Sequence, residues 1–170
     1  MSDTGDVICQ ELSDLCAQRQ PLDVILARAV ELVHDSSARF HWTGIYELFP
    51  DNVLRLGPFV GAPTNHVFIC VGQGVCGTAV AQKRNINVPD VSKATNYLAC
   101  SQETKSELVV LIRRGSRIFG QIDIDSHEYA AFDDAAEILV QKVADRLALA
   151  YEDQQSRRPE PIGARHTAGT

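Results

Sequence analysis

The sequence predicts an α+β domain in which helices from both ends of the chain pack on an antiparallel sheet. Two patterns carry this prediction. Apolar residues recur at helical spacing over 6–18 and 21–33 and again after Phe132. Between these regions the chain has short segments rich in β-branched and aromatic residues, separated by turns. We expect the terminal helices to share one face of the sheet. A loop and short-helix pocket then occupies the other face.

The elements follow from local signals. Pro21 opens the second helix, because proline is tolerated in a first helical turn. A glycine-rich turn leads into a short helix over 74–82, and residues 92–105 form a polar segment long enough for a functional loop. Six strands are predicted, at 40–49, 53–56, 66–71, 85–88, 107–112 and 117–125. We assign residues 1–153 to a single domain and 154–170 to a disordered tail.

Composition excludes several classes of function. The 170 residues are 45% hydrophobic and 22% charged, which is ordinary for a globular domain. The net charge is −6 and the basic residues are scattered, so we expect no nucleic-acid partner. No apolar run reaches the ~18 residues of a membrane span, so no membrane partner is expected. Residues 1–6 are acidic and lack signal-peptide features, which predicts a cytoplasmic protein.

Five cysteines require separate interpretation, at Cys9, Cys16, Cys70, Cys76 and Cys100. A reducing compartment disfavours a disulfide scaffold. The cysteines form no CxxC pair and no Cys/His cluster, which argues against a structural zinc site. Cys9 and Cys16 lie in the first predicted helix, and we interpret them as inert thiols.

Cys76 and Cys100 are the candidate reactive thiols. Glycines flank Cys76 at the start of a predicted helix, where the helix N-terminus favours a thiolate. The alternative is that Cys76 is only a small residue filling a tight turn. Cys100 lies in the polar loop, where Lys93 and Lys105 could help to hold a thiolate. The alternative there is an incidental surface thiol.

Two carboxylates are predicted to project side by side. Asp123 and Asp125 alternate on one strand, so they share a face while Ile124 points to the other. Apolar flanks indicate a central strand, and repulsion between the two carboxylates should raise one pKa. Glu107 begins the pairing strand and can join them. The group is either a solvated strand end or a cation pocket for a metal or an ammonium. No histidine obviously completes a transition-metal site, so no metal is expected.

Trp42 and Tyr46 lie four residues apart on a predicted strand. They therefore share a face and could wall a small pocket. The alternative is that both are ordinary core aromatics.

With these residues considered together, the chain resembles the free methionine-(R)-sulfoxide reductases, small enzymes with a GAF-type fold. The resemblance covers about 21–149. It rests on segments 41–46 (HWTGIY), 56–59 (LGPF), 72–79 (GQGVCGTA), 88–91 (VPDV), 98–100 (LAC), 106–107 (SE) and 122–126 (IDIDS).

The resemblance implies a GAF-like fold and thiol-dependent reduction of free L-methionine (R)-S-oxide. Cys100 would be the attacking thiol and Cys76 a second redox cysteine. Other residues would bind the substrate, with acids holding it and aromatics walling its methyl-sulfoxide end: Glu107, Asp123, Asp125, Trp42 and Tyr46. No bound cofactor is implied. An external dithiol reductant such as thioredoxin would recycle the enzyme, and a homodimer is expected.

Two positions depart from the family pattern. His66 stands where the family usually has a third, often resolving, cysteine, while Leu111 stands where it usually has proline. Cys70 is close in sequence and could face the same side as His66. We therefore predict that Cys76 or Cys70 resolves Cys100, or that a small thiol does so directly. A competing interpretation is a non-catalytic GAF-like module for ligand binding or redox sensing; a metal-dependent hydrolase has little support.

Overall fold

Six antiparallel strands form one sheet in the order β3-β2-β1-β6-β5-β4. The structure is a computed structural model and describes residues 1–95, 97–98 and 101–157. Its elements are α1 (Thr4–Ala17), α2 (Leu22–Asp35), β1 (Trp42–Leu48), β2 (Val53–Val60), β3 (Phe68–Cys70), α3 (Gly74–Gln82), β4 (Ile86–Val88), a 3₁₀ turn (Val91–Lys93), β5 (Ser106–Arg114), β6 (Arg117–Ser126) and α4 (Asp134–Ser156).

The two faces of the sheet carry separate apolar cores, as predicted. Helices α1, α2 and α4 cover one face, where strand residues such as Ile45, Val110 and Ile124 meet helix residues such as Val30 and Leu147. Helix α3 covers the other face. Its core is smaller and joins helix residues to strand residues: Val75, Cys76, Ala79 and Val80 with Trp42, Tyr46, Leu54, Ile69, Val109 and Leu111. This smaller core contains the predicted site residues on β1 and α3.

Strand β2 is longer than the sequence indicated. The prediction placed this strand over residues 53–56. In the structure β2 continues to Val60, and its register with β1 shifts between Gly44 and Tyr46. Gly44 and Tyr46 are two residues apart on β1, whereas their partners Phe59 and Leu56 are three residues apart on β2. Strand β2 therefore contains a β-bulge. A bulge accommodates a proline that cannot contribute a ladder N–H group.

The closing helix runs past residue 153, where the predicted domain ends. Asp133 caps α4 by accepting a hydrogen bond from the N–H group of Ala136 at 2.9 Å. The helix continues to Ser156, three residues past the predicted boundary at residue 153. Residues 158–170, most of the predicted tail, lie outside the described residues. Among the described helices, none has both the length and the apolar character needed to cross a membrane.

Candidate active site

The pairing of three central strands brings the predicted acids together. On β6, Asp125 lies opposite both Glu107 of β5 and Trp42 of β1. Directly opposed residues point to the same face of a sheet, so these side chains share the α3 face. Ile124 lies in the opposite core, as alternation predicts. The exposed fractions of Glu107, Asp123 and Asp125 are 4%, 0% and 2%, which rules out the solvated strand-end interpretation.

Cys76 enters the acid cluster from the first turn of α3. Its Sγ donates to Oε1 of Glu107 at 3.8 Å, and both groups are buried. One donor atom each from Cys76, Glu107 and Asp123 lies within 4.8 Å of the other two. Gly77 fixes this approach, because a Cβ atom there would lie 2.4 Å from the carbonyl oxygen of Cys70. The glycine that follows Cys76 therefore lets α3 pack close to the chain after β3.

Burial raises the pKa of all three carboxyl groups. For Asp123 the pKa rises from 3.8 to about 6, although hydrogen bonds with Glu107 and Cys76 lower it in part. For Glu107 and Asp125 burial is again the largest cause, and the nearby charge of Asp123 raises their pKa well above the usual range. With a pKa of about 6, Asp123 is therefore ionised at neutral pH, while burial and the nearby charge of Asp123 favour the protonated forms of Glu107 and Asp125.

Among the described residues, the cluster has no positively charged protein partner. In the part of the chain that the structure describes, no lysine, arginine or histidine forms an ion pair with Glu107, Asp123 or Asp125. Oδ1 of Asp125 has no hydrogen-bond partner within the same ranges. Among the described residues, the groups that can donate to the oxygens of Asp123 are the thiol of Cys76 and the protonated carboxyl group of Glu107. A buried anion in this situation is suited to an incoming cation.

The two predicted aromatic residues lie beside the acids. The ring centroids of Trp42 and Tyr46 are 6.3 Å apart, and both side chains are buried. The Trp42 ring covers Gly44, where a Cβ atom would lie 2.4 Å from it. Trp42 Nε1 donates to the carbonyl of Ala62 at 3.0 Å, and the Tyr46 hydroxyl donates to that of His66 at 2.7 Å. The segment after β2 therefore fixes both rings on the site face.

The structure does not bring Cys70 into the cluster. Its side chain is exposed, and alternation along β3 points it away from the buried Ile69. His66 is half-buried and contributes its carbonyl to Tyr46. Leu111 keeps β5 paired with β6 and donates its N–H group to Oδ1 of Asn85 at 2.8 Å. Proline, which the family usually has there, could not make that bond.

Cys100, the predicted attacking thiol, lies outside the described residues. The described chain on either side of it is anchored at the site. Leu98 packs against the start of α3, since a Cβ atom on Gly74 would lie 2.8 Å from its Cγ. After the loop, the N–H group of Lys105 donates to the carbonyl of Ser126 at the end of β6. Both anchors adjoin elements that carry Cys76 and Asp125.

Sequence reasoning missed Gln121. This side chain is fully buried, and neither of its amide atoms has a partner among the described residues. It lies opposite Tyr46 and Leu111 and shares the face of Asp123. The sequence does contain a signal for Gln121. It lies two residues before Asp123 on the same strand, so alternation places its side chain on the face of the acids.

Comparisons with known proteins identify the family of the chain. The GAF domain family matches residues 21–151. The chain belongs to the GAF domain family. Its GAF relatives include the free methionine-R-sulfoxide reductase of Saccharomyces cerevisiae, 41% identical over 107 residues, which are 61% of this chain and 59% of that protein. The Escherichia coli protein of the same name is 38% identical over 112 residues, covering 66% of this chain and 67% of that protein.

A solved structure extends the likeness to the whole fold. It is the X-ray structure of free methionine-R-sulfoxide reductase from Neisseria meningitidis in complex with its substrate. The TM-score is 0.81 and the identity 26%, over 92% of this chain and 95% of that one. The resemblance and the GAF-like fold expected from the sequence are confirmed. The match to the Saccharomyces cerevisiae relative nevertheless spans only about three fifths of the length of that protein.

The raised acid pKa values predict an unusual pH dependence of stability. Between the ordinary pKa of 3.8 and the folded-state value of about 6, Asp123 binds more protons when folded than when unfolded. The free energy of unfolding should therefore fall as pH rises through this interval, by about 3 kcal/mol for the full shift. Urea unfolding at pH 4.5 and pH 8 measures the effect. Asp123→Asn should lose this part of the pH dependence; an identical pH dependence in both proteins would contradict the assignment.

Proposed function

We propose that this GAF-domain protein reduces free L-methionine (R)-S-oxide to L-methionine. The observation that carries the proposal is the buried carboxyl cluster, which has no positively charged protein partner among the described residues. A free amino acid brings an ammonium group that can supply the missing charge. Methionine inside a peptide has no such group. The cluster therefore favours the free amino acid as substrate.

The neighbouring side chains suit the rest of this substrate. Trp42 and Tyr46 lie on the same sheet face as the acids and offer apolar surface to a methyl-sulfoxide group. In the proposal, Glu107, Asp123 and Asp125 bind the ammonium end while the two aromatic rings wall the sulfur end. The substrate would lie between α3 and the centre of the sheet.

The proposed reaction moves one oxygen atom to a cysteine. The thiolate of Cys100 attacks the sulfoxide sulfur, and a protonated carboxyl group of the cluster, Glu107 or Asp125, supplies a proton to the oxygen. Methionine leaves with its sulfur reduced, and Cys100 is oxidised to a sulfenic acid. The thiol of Cys76 then condenses with the sulfenic acid, which forms a disulfide and releases water.

Recycling requires an external reductant. A dithiol protein of the thioredoxin type would reduce the disulfide by thiol–disulfide exchange and return both cysteines to the thiol state. No bound cofactor is needed for this cycle. The proposal places the enzyme in the cytoplasm, as the features of its sequence predict, and takes it to be a homodimer, as the family resemblance implies.

A second candidate function is ligand binding or redox sensing without efficient turnover. It is favoured by His66 at the usual third-cysteine position and by the exposed position of Cys70, away from the cluster. The sensing function predicts binding of the free amino acid but little product.

One assay separates the two candidates. The protein is incubated with free methionine-(R)-sulfoxide and dithiothreitol, and methionine is measured by chromatography, with the (S)-epimer as matched control. The reductase proposal predicts continuous methionine formation from the (R)-epimer alone. Binding without turnover would support the sensing function instead. Mass spectrometry of the oxidised protein then distinguishes a Cys76–Cys100 disulfide from a Cys70–Cys100 disulfide and from a lone sulfenic acid.

A further inference from the structure

We propose that Cys76, Glu107 and Asp123 also bind a thiophilic divalent cation, of the Zn²⁺ or Cd²⁺ class, in the place where a substrate ammonium would sit. The three side chains belong to three different elements, α3, β5 and β6. They converge on the smaller core beneath α3. The proposal that the metal excludes the ammonium group of the substrate rests on the proposed function. The proposal that the metal binds to these three side chains does not.

One donor pair lies near the spacing that such a site requires. The three donor atoms all lie within 4.8 Å of one another, and Sγ of Cys76 is 3.8 Å from Oε1 of Glu107. Zinc binds sulfur at about 2.3 Å and carboxylate oxygen at about 2.0–2.2 Å, so tetrahedral geometry requires a sulfur–oxygen separation of roughly 3.5 Å. The Cys76–Glu107 pair is therefore a few tenths of an ångström from this separation, and metal binding would draw the carboxylate of Asp123 in to complete the set.

A fourth group points to a ligand independently of this triad. Asp125 is buried, with an exposed fraction of only 2%. Its Oδ1 has no hydrogen-bond partner among the described residues. It lies opposite Glu107 in the strand register. Asp125 can complete a fourth coordination position or accept a hydrogen bond from a bound water. The site therefore has a buried oxygen that an incoming cation would satisfy.

The donor set selects the class of metal. One thiolate with two carboxylates suits Zn²⁺ or Cd²⁺, whereas Ca²⁺ requires six to eight oxygen ligands and Mg²⁺ prefers oxygen and water. Binding would release the thiol proton of Cys76 and the proton shared by Glu107 and Asp123 to solvent. From the sequence no metal was expected, because no histidine is placed to complete a transition-metal site. The structure shows that α3 supplies a thiol as the soft donor instead.

Cobalt(II) provides a direct test, since it substitutes for zinc and gives a sulfur-to-metal charge-transfer band. The full chain is reduced, desalted without oxygen and titrated with CoCl₂. We expect this band in the wild type and in Cys70→Ser, whose replaced thiol is exposed. It should be absent from Cys76→Ser, and Asp123→Asn should weaken Co²⁺ binding by about tenfold or more. Persistence of the band in Cys76→Ser, or undiminished Co²⁺ affinity in Asp123→Asn, would overturn the proposal.

A competition arm tests whether the metal and the amino acid share the site. Saturating free methionine should lower the apparent Co²⁺ affinity several-fold, and an unchanged affinity would overturn the shared position. Failures of the two proposals are distinguishable. A normal cobalt band with no turnover in the metal-free assay contradicts only the reductase function. Turnover without a cobalt band contradicts only the metal site.

Discussion

Replacing Cys100 with serine should lower the rate of methionine formation by about 10⁴-fold or more. A serine hydroxyl is protonated at neutral pH and is a far weaker nucleophile toward the sulfoxide sulfur, and it cannot take the oxygen as a sulfenic acid. The measurement is initial rate with free methionine-(R)-sulfoxide and dithiothreitol. Cys16→Ser is the matched control, because Cys16 is a half-buried thiol on α1, on the opposite face of the sheet from the cluster.

The result is interpretable only if both variants fold. Thermal unfolding should give similar midpoints for wild type and for each serine variant. If Cys100→Ser keeps a tenth or more of the wild-type rate, Cys100 is not the attacking thiol. Cys76 would then become the candidate nucleophile, because it is the cysteine that the structure places against the acids.

The second large effect is expected for Asp123→Asn. This change removes the carboxylate that is ionised near neutral pH and leaves a neutral amide of nearly the same shape. Loss of one partner from a buried charge pair costs about 2–5 kcal/mol, so kcat/KM for the free amino acid should fall by about 30-fold to several thousand-fold. The unliganded protein should not lose stability at pH 8, because burial makes ionisation of Asp123 unfavourable in the folded state.

Steady-state kinetics and urea unfolding together measure this pair of effects. Glu128→Gln is the control, because Glu128 is a half-exposed acid just beyond β6 whose partner is Arg39 at the surface. It should leave both quantities nearly unchanged. A large loss of stability in Asp123→Asn would mean that the carboxylate has a structural role. An unchanged kcat/KM would mean that it does not bind the substrate.

Alternation along strands predicted most of the arrangement in which the structure places the candidate site residues. It placed Asp123 and Asp125 on one face with Ile124 on the other, and the register of β5 added Glu107. The glycine-flanked position of Cys76 likewise predicted that it lies at the start of a short helix, as it does in α3. These features depend on local geometry, which a sequence pattern contains.

Other features depend on contacts between distant segments and could not be read in this way. Full burial of the acids depends on the packing of α3 against the sheet, so the sequence left a solvated strand end open. The bulge that carries β2 past Leu56 depends on its pairing with β1, which the sequence pattern does not contain. The sequence also left open which face of the sheet the side chain of Cys70 takes. Residues four apart on a strand share a face, but this spacing does not tell which face His66 and Cys70 would share. In the structure the buried Ile69 points to α3, and Cys70 points the other way.

The central claim is that the buried carboxyl cluster recognises a free ammonium group. The most direct measurement compares kcat/KM for free L-methionine (R)-sulfoxide with kcat/KM for its N-acetyl derivative. Acetylation removes the positive charge and leaves the sulfoxide end unchanged. We predict that the N-acetyl compound reacts about 10³-fold more slowly or worse, since its amide leaves the carboxylate of Asp123 without a counter-charge. Comparable values for the two compounds would contradict the claim.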